Sequence, residues 1–245
     1  MVLPVASLLC ISGSVVHAEV YTCGTKSNYF DGYYRTYGNG VAEGASGAIV
    51  TRYGSVCDTN TSSHNFVATW VMIANGNGGG GWVQSGYIRW YDHTTVFFSQ
   101  ISKTGDPNVG QFDTKFGSSS LTYGDTNHYY ERWNSNCLCE HSNINSTTFL
   151  ATTFDPYGSW SYPFSPQFFG ETAYKQSDMP GNSASPTPFT DLNYQNASDN
   201  WVSYSCNVLT KSNDLGGVTR SDGESWYDQI TSCPNFRIFT DTAGM

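Results

Sequence analysis

Charge is what this 245-residue sequence has least of. Only 13% of its residues are Asp, Glu, Lys or Arg. Lysine occurs five times and glutamate six, so two strong formers of surface helices are scarce. No Lys/Arg cluster appears and the formal charge is −9, which excludes nucleic acid and anionic membranes as natural partners. Beyond the N-terminus no apolar run is long enough to cross a bilayer. The signatures G-x-S-x-G and H-E-x-x-H are missing, as is an EF-hand loop. The five histidines, His17, His64, His93, His128 and His141, are scattered. The C-x₂-C spacing of zinc sites is also missing, because Cys137 and Cys139 of Cys-Leu-Cys-Glu-His stand only two apart, so no metal is expected. Gly76, Gly78 and Gly81 match G-x-G-x-x-G but lead into a strand pattern, whereas a dinucleotide fingerprint opens a helix. No cofactor is expected.

What is present begins with an apolar run from Val2 to Val16, followed by Val16-His17-Ala18. Small residues at these positions suit cleavage of a signal peptide after Ala18, giving a signal peptide over 1–18 and a single domain over 19–245. Cleavage removes Cys10 and leaves six cysteines: Cys23, Cys57, Cys137, Cys139, Cys206 and Cys233. An even count in a secreted, extracellular chain reads as three disulfides, with the pairing open. Sequons stand at Asn60, Asn145 and Asn196.

Aromatic residues make up 16% of the chain, and there are 25 glycines. This mix suits half-buried strands joined by turns. Short apolar or alternating runs, at 46–54, 65–74, 81–91, 94–102, 147–154, 166–174, 201–206 and 235–240, are bounded by Gly, Asn, Asp or Pro. They predict an all-β, antiparallel sandwich of the jelly-roll or concanavalin-like kind, monomeric, with no long helix. Runs 65–74 and 81–91 are expected to pair across a glycine-rich loop at 75–81. The Pro/Ser-rich stretch 177–191 reads as a loop or short linker.

Two residues stand out chemically. Strand alternation puts Trp82, Gln84, Gly86, Ile88 and Trp90 on one face and Val83, Ser85, Tyr87, Arg89 and Tyr91 on the other. Gln84 is then an amide on a largely aromatic face. A buried amide without a partner costs about 1–3 kcal/mol, so Gln84 has a structural partner or faces a groove. Gly86 marks close approach by a ligand or by another backbone. Glu171 lies behind Gly170 and shares a face with Phe169 and Ala173. A carboxyl in apolar surroundings has a raised pKa, which is how a general acid or base is tuned. On an exposed edge strand it would be an ordinary surface glutamate.

The stretch "ATWVMIANGNGGGGWVQSGYIRWYDHTTVFFSQIS" resembles the central part of the glutamic peptidases called eqolisins. In that family a Trp-Val-Gly-Ile-Asp strand leads to an Ile-Leu-Gln-Thr-Gly strand and then to one containing Tyr-Glu-Trp. By this resemblance Trp70 matches the active-site tryptophan, Gln84 the catalytic glutamine and Glu171, in "QFFGETAY", the catalytic glutamate. Gln100 falls where the pattern has Glu, and Ala74 where it has Asp. Gln84-Ser85-Gly86-Tyr87 is also similar to Glu-Ala-Gly-Trp of the neprosin-type peptidases. The resemblance implies a secreted acid endopeptidase acting on polypeptides. Glu171 would be general base and Gln84 oxyanion donor, with Trp70, Trp82 and Gln100 at the substrate and the 75–81 loop closing over it.

Two other readings use the same residues. β-Sandwiches present aromatic rings to glycans, and Trp82, Trp90, Trp160, Trp201 and Trp226 are available for a non-catalytic carbohydrate-binding module. A secreted structural or coat protein would need no ligand. A peptidase requires Gln84 and Glu171 to converge, whereas a lectin requires a row of solvent-facing rings.

Overall fold

The structure, a computed structural model, describes residues 23, 29–38, 41–57, 65–75, 81–102, 112–153, 160, 164–174, 177–213 and 224–242. The proposed signal peptide, the Asn60 sequon and residues 76–80 of the glycine-rich loop lie outside the described residues. Among those described there are sixteen strands and no helix.

The strands form two sheets. The first has seven, in the spatial order β14 (Thr210–Asn213), β1 (Tyr29–Tyr34), β10 (Phe164–Thr172), β3 (Phe66–Asn75), β4 (Trp82–Trp90), β5 (Thr95–Ser102) and β6 (Phe112–Phe116). The second runs β15 (Glu224–Ser232), β16 (Asn235–Thr242), β12 (Ser185–Gln195), β2 (Gly44–Val50), β7 (Thr126–Asn134), β8 (Cys139–Ile144) and β9 (Thr147–Ala151). Two short strands, β11 (Gly181–Asn182) and β13 (Trp201–Ser203), pair with β12. Each pairing is antiparallel, and β3 pairs with β4 as the run pattern predicts.

Alternation along the strands sorts side chains into two apolar layers. Val71, Tyr87 and Phe168 of the first sheet pack against Ile49, Tyr129, Phe189, Leu192, Phe236 and Ile238 of the second. Each such side chain contributes about 1.5–3 kcal/mol by burial. The other face of the first sheet carries a separate cluster, with Ala68, Trp70, Met72, Ala74, Ile88, Val96, Phe98 and Phe169. The two glycines singled out in the sequence serve the first of these layers and the sheet itself. A Cβ on Gly86 would overlap the Thr69 carbonyl oxygen of β3, so the close approach there is another backbone. A Cβ on Gly170 would lie 2.5 Å from Ile238 Cδ1 and 2.6 Å from Met179 Sδ, within the packing between the sheets.

Two expectations need correction. The stretch 177–191, read as a loop, contains β11 and most of β12. Pro186 and Pro188 fit this strand because pairing with β2 begins only at Phe189, so each lies where β12 has a neighbour on one side alone. Three disulfides were expected, and two are formed: Cys23–Cys57 and Cys137–Cys139. Cys206 and Cys233 are neighbouring thiols, joined by a hydrogen bond that raises the Cys206 pKa. His141 Nε2 lies 3.5 Å from Cys137 Sγ, but the disulfide leaves that cluster without a thiolate for a metal.

Candidate active site

Trp70, Gln84, Glu171 and Gln100 all lie on the outer face of the seven-stranded sheet, away from the second sheet. Register shows how they are arranged. One cross-strand row runs Gln167, Met72, Gln84, Gln100, Thr114 from β10 to β6. The next same-face row is Gly32, Phe169, Trp70, Gly86, Phe98, Phe116. The third is Phe30, Glu171, Ala68, Ile88, Val96. Gln84 and Glu171 are therefore diagonal to each other. Trp70 stands between them, on the intervening strand and in the intervening row.

Glu171 is 9% exposed. Its Oε2 accepts a hydrogen bond from the Trp70 indole N–H at 2.9 Å. Burial pushes its carboxyl up to about 7, and the Trp70 hydrogen bond pulls in the other direction by favouring the charged form. The Trp70, Phe169 and Phe30 rings pack together beside it, with Trp70 and Phe169 centroids 5.1 Å apart and Phe30 edge-on to both. The carboxyl is thus dry on one side, oriented by one donor, and proton-loaded through the acid range.

Gln84 is 7% exposed. Its Nε2 donates to Gln100 Oε1 at 3.0 Å, and Gln100 Nε2 donates in turn to Thr114 Oγ1 at 3.2 Å. The chain of amides fixes the direction of the Gln84 side chain and leaves its second N–H for another acceptor. Among the described residues, Gln84 and Glu171 do not hydrogen-bond each other. Trp82 is half-buried, opposite Ala74. Sequence reading missed Met72, which fills the row between Gln84 and Gln167 and stands where the eqolisin pattern has glycine. Its place beside Trp70 in "ATWVMIA" was the available signal.

The tryptophans do not make an exposed platform. Trp160 and Trp226 are 4% and 1% exposed and belong to the core clusters or their edges. Trp82, Trp90 and Trp201 are half-buried, on different elements or ends.

No protein-family model matches the sequence, and no curated protein does. The fold, however, is that of the glutamic peptidases. Scytalido-glutamic peptidase, solved with a transition-state analogue inhibitor and with a peptide-based one, aligns at TM-score 0.57 and 13% identity, over 87% of this chain and 98% of its own. SCP-B, a member of the eqolisin family solved with the tripeptide Ala-Ile-His, aligns at TM-score 0.54 and 12% identity, over 89% of this chain and 100% of its own. At such identity the likeness is one of fold.

Proposed function

We propose that the chain is a secreted endopeptidase of the glutamic type. The observation that carries this reading is the outer-face arrangement: a buried carboxyl and a tethered amide on one sheet face, with Trp70 between them. A peptide laid across the Trp70 row meets Glu171 on one side and Gln84 on the other. Glu171 as carboxylate takes a proton from the water that attacks the scissile carbonyl, then returns it to the leaving nitrogen. Gln84 donates its free N–H to the developing oxyanion, held in direction by Gln100. Trp70 orients the carboxyl, and Trp82 lines the substrate. The two disulfides support an extracellular setting.

The resemblance implied activity in acid. Burial alters that expectation: with its pKa near 7, Glu171 is a base only as pH approaches neutrality, so the rate in the substrate-free limit rises towards about pH 7. The test is digestion of an unfolded protein substrate by the purified chain from pH 3 to 9. Cleavage of peptide bonds by the wild type, abolished in Glu171→Gln and reduced by about 10²-fold to 10³-fold in Gln84→Ala, supports the reading. No cleavage at any pH contradicts it.

A further inference from the structure

Directly behind Gln84 and Gln100, on the inner face of the same two strands, Ser85 of β4 and Ser99 of β5 point towards the second sheet. Ser85 Oγ donates to Glu131 Oε1 of β7 at 2.5 Å. Ser99 Oγ donates to Ser142 Oγ of β8 at 2.7 Å, and Ser142 Oγ lies 3.4 Å from the same Glu131 oxygen. These three hydroxyls and one carboxyl form a polar bridge across an otherwise apolar interior. Glu131, Ser85, Ser99 and Ser142 are each 0% exposed. The bridge ties the strand pair that carries the Gln84–Gln100 hydrogen bond to the opposite sheet.

The charged neighbourhood of this bridge is one-sided. From β8, Glu140 faces it, 2% exposed, with an oxygen that has no partner. From the segment before β2 comes Glu43, which in turn feels Asp199. Tyr129 of β7 and Tyr87 of β4 are the buried phenols alongside. From β2 and β3 come apolar groups, Ala45 and Val71. The cation that β6 puts on this side, Lys115, is exposed and lies over the Phe149 ring of β9 at 4.6 Å. Among the described residues neither Glu131 nor Glu140 has an ion-pair partner. The Ser85 and Ser142 hydroxyls donate to Glu131 Oε1 and so favour its charged form, but burial outweighs them, and Glu131 Oε2 has no partner. An isolated charge in that layer is costly.

We propose that Glu131 is a positioning residue for the outer-face site: in its neutral form it latches β4 and β5 onto β7 and β8 and so holds Gln84 and Gln100 in place, and its ionisation beside Glu140 and Glu43 releases that hold. Burial pushes Glu131 to about 8, Glu140 well above the usual carboxylate range and Glu43 to about 6. All three bind protons in the folded chain at pH values where the unfolded chain has lost them. The stability they contribute is therefore complete below about pH 4.5 and is lost as pH rises through 6 to 8. The latch rests on the glutamic-peptidase reading only for its consequence, not for its existence.

The test uses side-chain amide NMR signals of Gln84 and Gln100 in the Glu171→Gln protein, where the outer-face carboxyl no longer titrates. The expected result is a shift of both signals with a midpoint near pH 8, abolished in the double variant with Glu131→Gln, which mimics the neutral carboxyl. Ser85→Ala, which removes a hydroxyl that favours the charged form, should move the midpoint upward and serves if Glu131→Gln does not fold. In the proteolytic assay, Glu131→Gln with Glu171 intact should keep activity on the alkaline side where the wild type loses it. Gln84 and Gln100 signals that do not respond near pH 8, or that respond equally without Glu131, would overturn the latch. Absence of proteolysis with the NMR titration intact would instead count against the peptidase reading alone.

Discussion

Glu171 and Glu131 are both buried glutamates whose carboxyls burial has raised, to about 7 and about 8, and each accepts a hydrogen bond, Glu171 from the adjacent strand of its own sheet and Glu131 from the facing sheet. They differ in face and in partner. Glu171 is on the outer face, slightly exposed, held by an indole N–H that can only donate. That donor favours the carboxylate, and burial raises Glu171 less far than Glu131. Glu131 is sealed between the sheets, where burial outweighs hydroxyl donors that also favour its charged form, with further carboxyls for company. Its burial keeps it neutral. One glutamate thus stands on the outer face of the first sheet and the other between the sheets, and in both burial outweighs hydrogen bonds that favour the charged form.

Substitutions can break this comparison in order of size. Glu171→Gln should abolish proteolysis, a loss of about 10²-fold to 10⁴-fold or more, while far-ultraviolet circular dichroism stays unchanged. Gln84→Ala should cost about 10²-fold to 10³-fold in kcat, since the oxyanion loses a donor placed in advance. Trp70→Phe removes the donor that favours the Glu171 carboxylate. A hydrogen bond to a charged group is worth about 1.5–3 kcal/mol, so the ascending, acid-side limb of the pH–rate profile should move up by about one to two pH units. Thr114→Val, at the exposed end of the amide chain, should change the rate by less than about tenfold, because its hydrogen bond to Gln100 carries only about 0.5–1.5 kcal/mol. An effect of Thr114→Val as large as that of Gln84→Ala would mean the amide chain, and not the Gln84 N–H, governs the site.

Much of the outer face was legible in the sequence. Alternation through "GWVQSGYIRWY" sorts Gln84 from Ser85 correctly, and the glycine-rich connection implies the β3–β4 pairing. Glu171 is visible as a rare glutamate among phenylalanines. The inner latch was hidden. Tyr129, Glu131 and Trp133 alternate inward along β7, but a glutamate flanked by Tyr130 and Arg132 reads equally well as a solvent-facing residue until the partner sheet is known. Its partners, Ser85, Ser99 and Ser142, come from three other strands, and their contact depends on register between sheets. Strand β12 was missed for a local reason: Ser, Pro and Asn signal turns, and only the absence of a second neighbour at Pro186 and Pro188 lets the chain stay extended.

The most direct measurement is the pH dependence of kcat/KM for the wild type and Glu171→Gln side by side, from pH 3 to 9, on one unfolded substrate with folding monitored in each sample. Wild-type activity that climbs towards about pH 7, against a folded Glu171→Gln protein at background throughout, is the result expected if the Glu171 carboxylate is the base. A folded Glu171→Gln protein that digests the substrate at the wild-type rate would contradict it.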